Sequence, residues 1–320
     1  LQPTYRPQIW GGDAFSRILN RAVPVTQRLG ESWEIFRDSP VSLLGSPEAR
    51  HTLSELLQEQ SDGLGATSSA VSFPWMIKWL DCAELLSVQV HPKEELARQI
   101  DPEHQGKSEV WVVREAQPDA RLYLGWHAGV TLREIERAVL SGADLTPLMQ
   151  AYTPRKHDVI SIPAGTVHSL SGALVIEFQQ PSETTYRLYD WGRVDATGQP
   201  RALHIAPAMA SLDLESGGSI VAGEPEGTCS VETAEAELFA SDWIRLRRYC
   251  LRQQLHLSSE GQMSAWVVFE GSVEVSAWNT DFSQQVTQGQ TLLVPAACPG
   301  ISWRSLDGET PALLLRADLP

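Results

Sequence analysis

Leu86-Ser87-Val88-Gln89-Val90-His91 alternates apolar and polar residues without a break. In an extended strand successive side chains point to opposite faces, so Leu86, Val88 and Val90 share one face and Ser87, Gln89 and His91 share the other. The same two-residue period, or a short apolar run closed by Gly or Pro, returns at Val110–Val113, Asp158–Ile162, Leu174–Gln179, Trp266–Val275 and Thr291–Val294. That recurrence sets the fold class as mostly β, with a few helices added. Helical periodicity is confined to Pro47–Gln60, Glu94–Ile100, Thr131–Leu140 and Ala206–Leu212. The third of these has full punctuation: Thr131 as N-cap, Glu134 at the capping-box position, apolar Ile135, Ala138 and Val139, and Gly142 just past the end.

The 320 residues suit one large domain or two modest ones. With 42% apolar and 20% charged residues the chain has a globular balance, and its longest apolar stretches, such as Ala265–Phe269, are strand-sized and too short to span a bilayer. A net charge of −15 repels nucleic acid and anionic membrane surfaces, so neither is an expected partner; a small anion would need Lys or Arg placed locally. Cys82, Cys229, Cys250 and Cys298 show no paired metal-ligand spacing, and Leu1–Arg6 has no apolar signal core, which points to a reduced, cytoplasmic protein. Between Glu215 and Thr228 the composition turns to Gly and Pro. The expected division is therefore a larger β domain with helical additions over 1–214, a linker over 215–229, and a smaller all-β domain over 230–320.

Chemistry-bearing residues gather on the polar faces of several strands. In Gly106-Lys107-Ser108-Glu109, Lys107 and Glu109 share a face. Ile162-Pro163-Ala164-Gly165-Thr166-Val167-His168 is a strand that breaks at a Pro and Gly turn and restarts at a histidine. Glu177 and Gln179 share a face in Leu174–Gln179, and Arg187 lies with Thr185 and Tyr189 in the next strand. Each pattern alone is ordinary: a solvated strand face, a turn, a packed histidine. Their order and spacing together carry the weight.

Those segments, with Pro92 and with Ile9-Trp10-Gly11-Gly12 and Gly30-Glu31-Ser32-Trp33-Glu34-Ile35 upstream, resemble the type I phosphomannose isomerases of the cupin superfamily. The likeness runs from Ile9 to Arg193 and is to the short bacterial form, without the large helical insertion. It implies two cupin-type jelly-roll barrels and a metal held by Gln89, His91, Glu109 and His168. Two imidazoles and two oxygen donors suit one Zn²⁺ per chain, with Fe²⁺, Co²⁺, Ni²⁺ or Mn²⁺ also accommodated. The implied reaction interconverts mannose 6-phosphate and fructose 6-phosphate through a cis-enediol, with a small phosphosugar as the partner; no protein partner is inferred. Arg187 matches the family's catalytic arginine. Lys107 adds a second cation, and Glu177 matches an active-site carboxylate suited either to proton transfer or to hydrogen-bonded support. Ser87, Lys107 and Arg187 all qualify to hold the phosphate.

Two departures stand out. His157-Asp158 replaces the Gly-Asp of many relatives, which reads as a surface turn, and Lys93-Glu94-Glu95-Leu96 replaces the usual acidic pair after His-Pro. The second barrel is expected to be metal-free, since Pro295 is followed by Ala296-Ala297-Cys298-Pro299-Gly300 with no histidine. Trp10, Trp33, Trp75, Trp79, Trp111 and Trp126 read as core and pocket wall. Two rival functions share the scaffold. A silent sugar-phosphate sensor would have lost a ligand or the arginine, and an iron oxygenase would not need the fourth ligand or the cationic pair.

Overall fold

The structure is a computed structural model that describes residues 1–23, 27–43, 46–59, 73–194, 197–223 and 233–320. The first strands are β1 (Thr4–Gly12), β2 (Leu29–Ile35), β3 (Pro40–Leu43), β4 (Ser46–Thr52), β5 (Met76–Cys82) and β6 (Val88–Val90). They are followed by β7 (Glu109–Trp126), β8 (Met149–Tyr152), β9 (Val159–Ile162), β10 (His168–Gln179), β11 (Tyr186–Tyr189) and β12 (Ser219–Val221). The remainder is β13 (Thr233–Ala240), β14 (Arg245–Leu251), β15 (Gln254–Ser258), β16 (Ser264–Glu270), β17 (Ser272–Ala277), β18 (Ser283–Thr287), β19 (Thr291–Val294), β20 (Gly300–Ser305) and β21 (Ala312–Asp318). The helices are α1 (Ala14–Arg17), α2 (Leu53–Glu59), α3 (Glu94–Ile100), α4 (Leu132–Leu140) and α5 (Ile205–Ser211). The fold is mostly β, as the alternation predicts.

Two compact units divide the chain. One comprises Tyr5–Trp33 and Trp75–Gly223; the other comprises Leu1–Thr4, Glu34–Pro74 and Glu224–Pro320. In the first, a ten-stranded sheet runs β1-β2-β5-β10-β7-β9-β12, with β6 joining β10 to β11 and β8 pairing β7. The Gly-rich stretch thus supplies an edge strand, β12, antiparallel to β9; Pro225, Gly227, Thr228 and Cys229 lie outside the described residues. One apolar cluster packs Trp10, Trp111, Leu122, Ile160 and Val175. A second packs Val88, Val90, Trp126 and Val167 with Ile135 and Val139 of α4. Leu86, Val88 and Val90 are all buried, so the apolar face of the opening hexapeptide is the core face.

In the second unit, β13-β14-β21-β16-β19 and β15-β20-β17-β18 form two sheets. Their shared core contains Trp266, Leu314 and Tyr249 from one sheet and Val273, Ile301 and Trp303 from the other. Trp266 and Trp303 approach to 5.1 Å between ring centroids. The expected single segment Trp266–Val275 is two strands belonging to different sheets. Gly271, at φ +82°, sits between them, in a backbone conformation that L side chains rarely adopt.

Helix expectations hold at three places. α3 has the predicted bounds, α5 is displaced by one residue at each end, and α4 carries the complete capping box between Thr131 and Glu134. The fourth is corrected: within Pro47–Gln60, residues up to Thr52 belong to β4, and helix forms only over Leu53–Glu59, with Gln60 outside the described residues. β4 pairs antiparallel with β3, Pro40 opposite Thr52 and Val41 opposite His51, and this partner outweighs local helix preference. The expectation of a fully reduced chain is also corrected, because Cys250 is disulfide-bonded while Cys82 and Cys298 are free thiols. Among the described residues no helix is long and apolar enough to cross a membrane.

Candidate metal centre and active site

Four strands and one turn build the site. Short β6 pairs with both β10 and β11, placing Gln89 directly opposite His168 on one side and Arg187 on the other. β7 begins at Glu109 and runs beside β10, with Glu109 opposite Gln179 and Trp111 opposite Glu177. The turn after β9 delivers His168: Gly165 adopts φ +95°, donates its N–H to the His91 carbonyl at 2.8 Å, and so ties the turn to the end of β6.

Between these elements His91, Glu109 and His168 converge, with ligand atoms within 4.8 Å of one another and all three side chains buried. Nε2 of His168 lies 3.1 Å from Glu109 Oε1, and Nε2 of His91 lies 3.4 Å from Oε2. Each imidazole is oriented through its other nitrogen. His91 Nδ1 is 2.9 Å from the Thr184 carbonyl and His168 Nδ1 is 3.0 Å from the Thr166 carbonyl. A carbonyl only accepts, so Nδ1 carries the proton in both rings and the Nε2 lone pair faces the cluster. Burial, followed by the neighbouring Lys107 charge, pushes His91 down to about 4 and keeps it neutral. The Gln89 amide completes the ring, its Nε2 3.1 Å from His168 Nε2 and its Oε1 accepting from Ser87 Oγ at 3.3 Å.

The centre fits a divalent cation. Both Glu109 oxygens are fully buried yet make no hydrogen bond of acceptable geometry, a costly arrangement for a carboxylate unless cations surround it. Burial would raise its pKa, but the Lys107 charge holds it well below the usual carboxylate range. Two imidazole lone pairs and one carboxylate form a donor set suited to zinc or a related first-row ion.

A second layer of charge lies behind it. Lys107 Nζ is 2.7 Å from Glu109, 3.3 Å from His91 Nε2 and 3.6 Å from Glu177. Burial acts to neutralise Lys107, but Glu109 and Glu177 raise its pKa and keep the ammonium charged. Glu177 is itself surrounded: Trp111 Nε1 donates to it at 3.1 Å, and Lys78 lies 3.6 Å from its other oxygen. Burial and Glu109 push Glu177 up to about 7 against the pull of Lys107 and Lys78. Arg187 is half-buried at the rim, and among the described residues no carboxylate forms an ion pair with it. Its backbone N–H donates to His204 Nδ1 at 3.2 Å.

The structure thus brings Gln89, His91, Glu109, His168, Lys107 and Glu177 into one cluster, with Ser87 bonded to Gln89 and Arg187 across from it on β11. Sequence reading missed Lys78, though a lone lysine inside the apolar run Trp75-Met76-Ile77-Lys78-Trp79-Leu80 was a signal. It also missed the T-shaped contact of Trp111 on His168, 5.5 Å between centroids. His157 is corrected from surface turn to buried turn. It takes φ +71°, which explains why glycine suits that position, and its N–H donates to the Val113 carbonyl at 2.7 Å. It is not part of the metal cluster.

Residues 1–119 match the family model for phosphomannose isomerase type I, catalytic domain. A probable mannose-6-phosphate isomerase of Bacillus subtilis is 36% identical over 217 residues, covering 67% of this chain and 68% of the relative. A mannose-6-phosphate isomerase of Streptococcus mutans is 30% identical over 312 residues, covering 87% and 96%. The crystal structure of a Bacillus subtilis mannose 6-phosphate isomerase superposes with a TM-score of 0.85 at 25% identity, covering 99% of this chain and 98% of that one. A zinc-bound mannose 6-phosphate isomerase shares the fold, with a TM-score of 0.76 at 12% identity, covering 99% and 98%.

Proposed function

The chain belongs to the type I phosphomannose isomerases, and from that premise we propose that it interconverts mannose 6-phosphate and fructose 6-phosphate, with Zn²⁺ held by Gln89, His91, Glu109 and His168. The observation that carries this reading is the buried His91, Glu109 and His168 cluster with Lys107 2.7 Å from the carboxylate. The ion, when bound, supplies Lewis acidity toward sugar oxygens. To present its oxygen to the cluster, the Gln89 amide turns over, and Ser87 Oγ then accepts from the amide nitrogen in place of donating to the oxygen.

Moving a proton between C1 and C2 passes through a cis-enediol whose oxygens carry developing negative charge. Lys107, buried and charged, and Arg187, which forms no ion pair among the described residues, supply fixed positive charge for that state and for the phosphate. Because the site is desolvated, such charges act more strongly than in water and need no reorganisation during the reaction. Both Glu177 oxygens are taken up by Trp111, Lys107 and Lys78, which supports assigning it the work of holding Lys107 in place.

A coupled assay for fructose 6-phosphate formation from mannose 6-phosphate, run beside elemental analysis of the same sample, tests the reading. Turnover that disappears on chelation and returns with zinc is expected. Metal-replete, folded protein without turnover overturns it.

A further inference from the structure

Arg187 does not stand alone at the rim of the site. Its chain turns at Asp190-Trp191-Gly192-Arg193, with Trp191 at φ +59° and Gly192 at φ +64°. This turn is fastened to the strand that leads into the metal ligands: Trp191 Nε1 donates to the Leu86 carbonyl at 2.8 Å and Arg193 Nη1 donates to the Leu85 carbonyl at 2.5 Å. A second segment closes over Arg187 from the other side. The His204 N–H donates to the Arg187 carbonyl at 2.8 Å, and Arg187 Nη1 reaches the Ala202 carbonyl at 3.5 Å. Arg201 is therefore delivered next to Arg187.

Two further guanidiniums thus flank the cation that the proposed function needs, and one buried carboxylate takes up both. Asp190 accepts from Arg193 Nη2 at 2.5 Å, from Arg201 Nη2 at 2.5 Å and from Arg201 Nε at 2.8 Å. Asp190 is 5% exposed, so water does not screen these bonds as it does on an open surface. Burial acts to raise the Asp190 pKa, but the two arginines hold it below the usual carboxylate range. Three arginines against one carboxylate leave two positive charges, and the geometry decides where one of them is displayed: Arg193 and Arg201 are bonded to Asp190, while among the described residues the Arg187 guanidinium makes one long bond, to a backbone carbonyl.

We propose that Asp190 is a positioning residue for the isomerase reaction, binding Arg193 and Arg201 so that Arg187 alone is presented to the anionic substrate. The inference rests on the reading of Arg187 as the substrate's cation. Without the carboxylate charge, Arg201 is free to turn to the phosphate, and the sugar is drawn away from its productive pose.

Steady-state kinetics of Asp190→Asn and Asp190→Glu, with metal content and inhibition by inorganic phosphate measured on the same samples, test this. Asp190→Asn is expected to lower kcat about ten- to a hundred-fold, as a small misplacement of substrate does, and to tighten phosphate inhibition several-fold while metal stays bound. Asp190→Glu, which keeps the charge, should recover part of kcat, and adding Arg201→Gln to Asp190→Asn should recover part of it by removing the competing cation. Should Asp190→Asn not fold, Arg201→Gln alone carries the test. It frees Asp190 toward Arg187 and should raise KM and weaken phosphate inhibition. Unchanged kcat and phosphate inhibition in Asp190→Asn, or in Arg201→Gln where that variant carries the test, overturns the proposal. Arg187→Ala run alongside separates the two levels of argument. A loss of about a hundred-fold in kcat with no response to Asp190 changes sinks only the role of Asp190, whereas normal kinetics in Arg187→Ala sink the reading of Arg187 itself.

Discussion

The two units are built from the same material, antiparallel strands with tryptophan-rich interiors, yet they bury charge differently: the C-terminal unit closes its buried Arg316 and Asp318 as an ion pair at 2.7 Å. In the C-terminal sheets the shared core is apolar, with Tyr249, Trp266 and Trp303 packed among aliphatic side chains. In the first unit the strands β6, β7 and β10 enclose His91, Lys107, Glu109, His168 and Glu177, all 5% exposed or less. Buried charge of that density persists only when each group has a partner or binds a metal. Among these groups Lys107 lies between two glutamates, Glu177 lies between two lysines, and Glu109 lies against Lys107. One interior serves stability; the other is organised around charge that a ligand completes.

The sharpest way to break this contrast is at His168. His168→Ala removes an imidazole from the cluster and should cost on the order of a thousand-fold in kcat/KM, since metal polarisation contributes several kcal/mol to the transition state. Bound metal, measured by elemental analysis, should fall in parallel, and full metal content with full turnover would dissolve the distinction between the two interiors. Trp303→Ala asks the converse question. Deleting that fully buried ring should lower unfolding free energy by about 3–5 kcal/mol in urea titrations. Turnover per folded molecule below the optimum temperature should stay within a few-fold of the parent.

A smaller effect isolates what a buried charge costs without a cation bonded to it. Asp81 is 4% exposed and accepts from the Ala14 N–H at 2.7 Å, and burial pushes its pKa up to about 6. Between the unfolded value of about 4 and this one, the folded state binds more protons than the unfolded state, so stability falls as pH rises through that window and is flat above it. The loss from this group is about 2–3 kcal/mol, and Asp81→Asn should remove that share of the pH dependence when denaturation midpoints are compared with the parent from pH 4 to 7.5. The smallest expected effect is at Gln290, exposed in the second unit, where Oε1 accepts from the Thr287 N–H at 2.8 Å. Gln290→Ala should cost about 1 kcal/mol or less in stability and leave turnover unchanged; a large loss of turnover would show that the contrast between the units is drawn in the wrong place.

Local pattern was a good guide wherever a single element decides the outcome. Strand alternation put Gln89 with His91 and Lys107 with Glu109 because the two-residue period is intrinsic to extended backbone. The Thr131 and Glu134 capping box was legible because its partners are three residues apart. Pattern misled where a distant partner wins: Pro47–Thr52 carries helix-tolerant residues but pairs with β3, and His157 has the sequence of an exposed turn yet is buried with φ +71°. Lys78 and Asp190 went unread because each takes its meaning from a partner beyond its local segment, Glu177 for the first and Arg201, 11 positions on, for the second.

The amino-acid sequence by itself thus determined the mostly β class, the faces of the strands, the identity of the donor residues and, through its resemblance, the family. Which donors meet was decided only by tertiary structure. The register that sets Gln89 opposite both His168 and Arg187 joins strands 79 and 98 positions apart, and no local period encodes such a pairing. The protonation states follow the same division: Lys107 and Glu109 are charged in an open chain as well and keep their charge when buried because each lies against the other, whereas the displacement of His91 down to about 4 comes from desolvation that exists only once the strands have closed around it.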